Sequence, residues 1–236
     1  MTDAVTEVAI DAVLVGPVAP LGLSGSCSGI AKTPRLHPVA VGLNGLAGDA
    51  QADLRHHGGP EKAVHHYAFD HYAGWRRDVP EADPSLLARP GAFGENLSTL
   101  GLTEHDICVG DLWRAGSALL QVSQARQPCW KLNHRFAAAD MARRVQASGR
   151  TGWYYRVVEP GAIAAGDRLR LVKRPHPAWP LARLLRAFYV DRLDRDALAR
   201  IAALEALSPS WRALARRRLE RGVVEDWAPR LESPDS

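Results

Sequence analysis

Short apolar segments separated by glycine and proline fill the first 175 residues of the chain, a pattern that is typical of strands joined by turns. Two segments with helical periodicity interrupt them, and the second ends before Gly149. The pattern predicts strands at Ala9–Val15, Val39–Val41, Ala63–Tyr67, Asp106–Leu112, Ala118–Ser123 and Arg168–Val172, and helices at Ala68–Arg77 and Ala138–Ser148.

After residue 175 the apolar positions change to a helical spacing. Leucines recur at this spacing from 181 to 207, and a turn near Asp191 divides them into two helices. Ser208-Pro209 indicates the start of a third, because serine suits the N-cap and proline the first helical position. We therefore predict an α+β protein with a mainly β domain at residues 1–175 and a three-helix domain at 176–236. The tail from Glu232 is expected to fray.

The composition is that of a globular protein able to bury its own core. The 236 residues are 46% apolar and 24% charged, which makes a disulfide or metal staple unnecessary. The net charge of +4 is too small to indicate nucleic acid or a membrane as partner. Residues 176–236 hold 11 arginines against nine acidic residues. We interpret the Arg216–Arg218 cluster as a solvated helix face or a docking surface for an electron donor.

The sequence predicts a cytoplasmic protein. Asp3 and Glu7 stand where a secretory signal would have basic residues. The longest uncharged run, residues 12–31, contains nine glycine, proline or serine residues, so it is not expected to span a membrane. The three cysteines show no CxxC spacing, which argues against a disulfide framework or a structural zinc site.

Cys129 lies in a segment with basic neighbours. Arg126 precedes it by three residues and Lys131 follows it by two, and such a positive field favours the thiolate, which is both nucleophile and soft metal ligand. Cys108 is expected to pack as a small apolar residue in its predicted strand, and Cys27 has no general base beside it. From this segment alone, a partly buried structural role for Cys129 remains open.

A second candidate site is the run HHGGPEKAVHH at residues 56–66. Its two glycines let the backbone approach a ligand closely, and Lys62 offers a charge suited to phosphate. His57 and His66 are candidates for donating to an anion or relaying protons. The spacing of the two histidine pairs matches no standard zinc pattern. A solvated histidine-rich loop is an equally open interpretation.

A third candidate is the glycine-rich stretch GAFGENLST at residues 91–99. Asn96 and Ser98 can hold an anion or an amide-bearing ring there, although the stretch lacks GxGxxG spacing and is not a P-loop. Three of the four lysines, namely Lys32, Lys62 and Lys131, fall near these candidate loops. One activated thiol among several anion-binding loops suits a phosphorylated, metal-bearing cofactor.

Six segments carry a resemblance to a known family. They are SGIAK, GLAGDAQAD, HHGGPEKAVHHY, FGENLSTLGLTE, VGDLWRAGSALLQVSQARQPCWKL and TGWYYRVVEPG. Together they resemble MOSC-domain proteins of the YiiM type over about Val8 to Val172. The C-terminal helices are similar to the small three-helix domain that often follows.

The resemblance implies a β-barrel-like MOSC fold that binds the molybdenum cofactor, and it gives no reason to expect pyridoxal phosphate. Cys129 matches the family's molybdenum-ligating cysteine and is a catalytic candidate with His57 and His66. The implied cofactor-binding residues are Lys32, His57, Lys62, Asn96, Ser98 and Arg126.

The implied activity is the reduction of N-hydroxylated compounds such as 6-hydroxylaminopurine to amines, with electrons from a separate reductase. The alternative is a module that carries or delivers the cofactor or sulfur without reductase activity of its own. No nucleic-acid or membrane partner is expected, and a homodimer is left open.

Overall fold

The structure is a computed structural model that describes residues 5–21, 26–53 and 58–233. Within these ranges the chain forms three β-sheets and two groups of helices. The strands are β1 (Glu7–Ala9), β2 (Ala12–Val15), β3 (Ala19–Pro20), β4 (Cys27–Ser28), β5 (Thr33–Pro34), β6 (Val39–Gly42), β7 (Gly45–Leu46), β8 (Val64–Ala68), β9 (Leu97–Thr99), β10 (Leu112–Ala115), β11 (Ala118–Ala125), β12 (Trp153–Glu159), β13 (Gly161–Ile163) and β14 (Arg168–Lys173).

The largest sheet has nine strands in the order β1-β14-β10-β11-β12-β8-β9-β2-β5. Its pairs are antiparallel except β8 and β9, which run parallel with His66 opposite Leu97. The smaller sheets are β13-β6-β7 and β3-β4. β8 and its neighbour β12 lie in the middle of the sheet, and all five residues of β8 are buried.

The helices fall into a group inserted in the sheet domain and a group that follows it. They are α1 (Asp70–Asp78), α2 (Lys131–Phe136), α3 (Met141–Ser148), α4 (Leu181–Tyr189), α5 (Arg195–Ala202), α6 (Pro209–Arg221) and α7 (Ala228–Leu231), with a 3-10 turn at Pro60–Lys62. In the three described ranges, none of the helices is both long and apolar enough to cross a membrane.

One apolar core extends from the sheet into the C-terminal helices. Trp113 and Val122 of the sheet belong to the same buried cluster as Leu184 and Phe188 of α4 and Trp211 of α6. The ring of Trp211 meets that of Phe188 edge-on at 4.8 Å between centroids. A second cluster, which includes Ile30, Tyr67, Phe93, Phe136 and Leu231, lies beside the first. The helical domain is therefore packed onto the sheet domain through shared apolar surface.

Several predicted elements differ from the structure for local reasons. Most of the predicted strand Asp106–Leu112 is turn, since Asp111 accepts the backbone N–H of Cys108 at 2.9 Å and folds the segment back, and only Leu112 belongs to a strand, as the first residue of β10. The predicted strand Ala9–Val15 is two strands, because Ile10 donates to the carbonyl of Asp167 and Asp11 to that of Ser98. The helices α2 and α7, with six and four residues, are too short to give a periodic signal.

An ion pair fixes the point where the chain leaves the sheet domain. The carboxylate of Asp111, which is fully buried, accepts hydrogen bonds from Arg174 Nε at 3.0 Å and Arg174 Nη2 at 2.6 Å. Arg174 also donates to the carbonyl of Asp106 at 2.7 Å. The first residue after β14 is thus bonded back to the turn that precedes β10.

Replacing Asp111 with alanine should lower the free energy of unfolding by about 3 kcal/mol, because Arg174 and the Cys108 N–H lose a buried acceptor. The matched control is Glu7→Ala, which removes exposed pairs to Arg168 and Arg170 and should cost less than about 1 kcal/mol. Urea unfolding of both variants checks this. Equal losses would contradict a structural role for the Asp111 pair.

Candidate functional site

A single cleft collects most of the residues that the sequence singled out. It encloses about 560 Å³, its open mouth included. Its walls come from the segment after β4 and from the loop after β7 that carries Asp49, which we call the Asp49 loop. The other walls are the turn before β8, β8 itself, the glycine-rich loop at residues 91–99, and the stretch between β11 and α2. The lining residues include Ile30, Lys32, Gln51, Lys62, His65, Gly94, Asn96, Arg126, Cys129, Lys131 and Tyr154.

Cys129 lies half-buried in the loop between β11 and α2. The loop starts at Arg126, whose N–H donates to the carbonyl of Gly152 at 2.9 Å. Burial lowers the pKa of Lys62, while a thiolate at Cys129 and the carboxylate of Asp53 oppose that lowering. The thiol and the Lys62 ammonium therefore share one electrostatic environment in the cleft.

The floor of the cleft is organised by the carboxylate of Asp49, which is almost completely buried. It pairs with Lys32, accepts the N–H of Gly16 at 3.0 Å and accepts Asn96 Nδ2 at 2.9 Å. Burial lowers the pKa of Lys32, and the charge and hydrogen bond of Asp49 oppose this effect. Asp49 is thus the counter-ion of a buried lysine beside the cleft.

Asn96 uses its side-chain amide to join three elements. Nδ2 also donates to the carbonyl of Leu14 at 3.1 Å, and Oδ1 accepts the N–H of His65 at 3.0 Å. These bonds tie β2 and β8 to the Asp49 loop. The predicted cofactor-binding residue Asn96 does line the cleft, but its amide is engaged by the protein, so its contribution is to build the cleft floor.

The histidine that faces the cleft is His65 and not the predicted His66. Successive side chains on a strand point to opposite faces, and His65 lines the cleft. His66 is buried in the core, where its ring nitrogens contact Tyr155 Oη at 3.0 Å and Thr99 Oγ1 at 2.9 Å. Burial lowers its pKa to about 3. The structure therefore places His66 in the core and not in the cleft lining, and its catalytic role stays a prediction.

Of two other predicted residues, one lies outside the cleft lining and the other lies outside the described residues. Ser98 on β9 is fully buried and is absent from the cleft lining, so its predicted contact with a cofactor is not supported by its position. His57 lies outside the described residues, and its predicted role stays a prediction.

Two buried polar atoms in the cleft have no hydrogen-bond partner among residues 5–21, 26–53 and 58–233. They are Arg126 Nη1 and His65 Nε2, and the two residues are only 6% and 4% exposed. Buried polar groups are nearly always hydrogen-bonded in folded proteins. A guanidinium donor left unpartnered at the base of an open cleft fits an anionic ligand, and a bound ligand would satisfy it.

The imidazole of His65 is neutral. Burial lowers its pKa far below the usual value, the nearby charges of Arg126 and Lys32 lower it further, and a backbone hydrogen bond to Gly94 opposes them. Its ring lies 4.9 Å from that of Tyr154 between centroids. Burial raises the pKa of Tyr154, which Arg126 opposes. Both rings can therefore hydrogen-bond a ligand without adding charge.

No sequence pattern pointed to Asp49, His65 or Tyr154 as residues of this site. Strand alternation through HHY at residues 65–67 offered two choices for the inward histidine, and the sequence pattern does not say which face of β8 meets the cleft. Tyr154 follows from β12 pairing with β8, where it lies opposite His65. That register is a tertiary feature without a local signal.

Two family models match the chain. One is described as a MOSC domain and matches residues 53–170, and the other as a YiiM-like, 3-alpha helix domain and matches residues 179–222. Protein YiiM of Escherichia coli (strain K12) is 42% identical over 208 residues, which cover 88% of this chain and 91% of that protein.

A solved structure and a longer relative extend the likeness. The crystal structure of YiiM from Geobacillus stearothermophilus superposes with a TM-score of 0.75 at 36% identity, covering 89% of this chain and 98% of that one. A protein named Reductase from Gibberella moniliformis (strain M3125 / FGSC 7600) is 38% identical over 178 residues. These cover 75% of this chain but only 31% of that protein.

Asp49→Asn should lower the pKa of Lys32, because burial would remain while the opposing charge is lost. The measurement is a pH titration of the Lys32 side-chain ¹³Cε shift in protein labelled with ¹³C-lysine. Asp78→Asn, which breaks the pair to Arg150 on the outside of the domain, is the control and should leave the midpoint unchanged. An unchanged midpoint in Asp49→Asn would remove Asp49 from the role of counter-ion.

Proposed function

The chain belongs to the MOSC family in its YiiM-like form, and from this premise we propose that it is a molybdenum cofactor-dependent oxidoreductase. Its proposed substrates are N-hydroxylated compounds of the 6-hydroxylaminopurine type, which it would reduce to amines with electrons from a separate reductase. The relative named Reductase fits an oxidoreductase role for this chain. Three free cysteines are in keeping with a reducing, cytoplasmic setting.

The observation that carries the proposal is a thiol and an unsatisfied buried guanidinium in the same cleft. Cys129 supplies the soft sulfur donor that a redox transition metal prefers. Arg126 Nη1 is buried and has no partner in the described part of the chain, and Lys62 and Lys131 add positive charge along the same lining. A phosphorylated, sulfur-bearing metal cofactor matches this combination of donors.

When bound, the molybdenum cofactor would supply the two-electron oxygen-transfer chemistry. Cys129 would ligate the metal, and Arg126 and Lys62 would hold the anionic part of the cofactor. Lys32 also lines the cleft and forms an ion pair with Asp49. It would contribute to the positive potential of the cleft. The work of the chain is to bind, orient and electrostatically match the cofactor.

His65 and Tyr154 are the residues of the cleft best suited to orient a neutral substrate. Nε2 of this imidazole has no partner among the residues that the structure describes, so it can exchange a hydrogen bond with an N–H or O–H group of a purine-like ring. The tyrosine ring beside it offers an apolar face for stacking. These two residues, and not His66, take the proposed substrate-facing role.

The decisive experiment compares molybdenum content and pterin fluorescence in wild type and Cys129→Ser, both purified from a host that makes the cofactor. Wild type should hold close to one molybdenum per chain, and the variant should lose it because a hydroxyl is a poorer ligand for the soft metal. Reduction of 6-hydroxylaminopurine by the loaded wild type, with a chemical electron donor, should disappear in parallel.

Cys27→Ser is the matched control, since Cys27 is exposed, and it should keep both metal and activity. Molybdenum in the wild type without any turnover of hydroxylaminopurine would favour the alternative of a cofactor carrier. Absence of both molybdenum and pterin from the wild type would favour sulfur delivery through Cys129. Full activity in Cys129→Ser would remove the thiol from the proposed chemistry.

A further inference from the structure

The segment that follows the three-helix unit returns to the loop that carries Cys129. The YiiM-like model matches residues 179–222, so α7 lies beyond it. Trp130 donates its backbone N–H to the carbonyl of Arg230 at 2.7 Å. The side chain of Arg230 donates from Nη1 to the carbonyl of Pro128. Residue 230 therefore contacts the backbone on both sides of Cys129.

The second donor of Arg230 and the next residue extend this attachment. Nη2 donates to Gln146 Oε1 on α3 at 2.5 Å. The carbonyl of Leu231 accepts Asn133 Nδ2 on α2 at 2.9 Å, and the Leu231 side chain is buried in the second apolar cluster. Arg230 is thus held in place by α3 while it binds the loop before α2.

A buried network connects α7 to the three-helix unit. Arg218 on α6 is only 2% exposed, donates to the carbonyls of Phe188 and Arg192, and forms a two-bonded pair with Glu225 at 2.9 and 2.6 Å. Glu225 also accepts Trp227 Nε1 at 2.8 Å. Since Trp227 is the residue just before α7, this network fixes where the helix begins.

Arg230 contacts the carbonyl of Pro128 and the amide of Trp130, and the positions of these two peptide groups determine the path of the loop. The Pro128 carbonyl is attached to the nitrogen of Cys129, and the Trp130 nitrogen is attached to its carbonyl carbon. With both peptide units held, the backbone of Cys129 has little freedom to rotate, and the position of Sγ in the cleft follows from it. We propose that Arg230 is a positioning residue that fixes the Cys129 loop, so that the C-terminal helix determines where the thiol lies.

This role matters for the proposed function because it sets the geometry of the proposed metal ligand, but its test needs no cofactor. Arg230→Met in a Cys27→Ser background removes both donors while keeping an unbranched, flexible side chain at this position. The readouts on cofactor-free protein are hydrogen exchange of the Trp130 amide and the rate of Cys129 alkylation by iodoacetamide between pH 6 and 9. Both measurements can be made and interpreted even if the wild type proves to contain no molybdenum.

The variant should exchange the Trp130 amide about tenfold faster, as expected for the loss of hydrogen bonds that hold the loop, and should alkylate Cys129 severalfold faster. Exchange in β8 should stay as in the wild type. The matched control is Arg143→Met, which breaks an exposed pair to Glu232 on the same C-terminal segment and should change neither readout.

Exchange and alkylation within twofold of the wild type would overturn the proposal. An equal rise of exchange in β8 and β11 would also overturn it, because Arg230 would then support the whole fold and not the loop. Arg230→Lys covers the case in which the methionine variant does not fold. A single ammonium can replace only one of the two side-chain bonds, so both readouts should rise by a smaller factor, and values equal to wild type would contradict the proposal.

Discussion

The buried carboxylate of Asp49 is the constraint on which the cleft depends. One Oδ atom accepts the backbone N–H of Gly16, and the other accepts hydrogen bonds from Lys32 and Asn96. Through Asn96 the same carboxylate is connected to the backbone of His65 on β8. A single charge therefore holds a loop, an edge of the sheet and a central strand in register. Without it, the positive charge of Lys32 would be buried without compensation, which is costly in a folded protein.

The cleft contains buried polar atoms that lower the stability of the protein but can bind a ligand. Arg126 and His65 are buried, and each has one polar atom without a partner among the described residues. Such an atom costs free energy, and a ligand that hydrogen-bonds it would offset that cost. The two groups differ in charge, since the guanidinium stays protonated while burial keeps the imidazole neutral. The cleft therefore offers one anion-binding position and one neutral hydrogen-bonding position, which is what a charged cofactor and a neutral substrate would use side by side.

The parts that could be predicted from the sequence are those with a local signal. The periodicity change after residue 175 indicated the helical domain, and Ser208-Pro209 marked the start of α6 correctly. Cys129 was found through its basic neighbours and through the family resemblance. The sequence could not indicate whether His65 or His66 lines the cleft, because that depends on which face of β8 meets the cleft. Asp49 was missed because its importance arises from contacts with residues 33 and 47 positions away in the chain.

The helical domain is better understood as part of the site than as an appendage. Its apolar face shares a core with Trp113 and Val122 of the sheet, so its position relative to the sheet is fixed by burial. The Arg218–Glu225 pair then directs the chain from α6 back toward the sheet domain, and α7 ends on the loop of Cys129 through Trp130 and Pro128. A cysteine in a loop of five residues, 126–130, between a strand and a short helix would otherwise sample several backbone paths. The contacts of α7 with Pro128 and Trp130 restrict these paths, so the segment that follows the three helices takes part in the proposed positioning of Cys129.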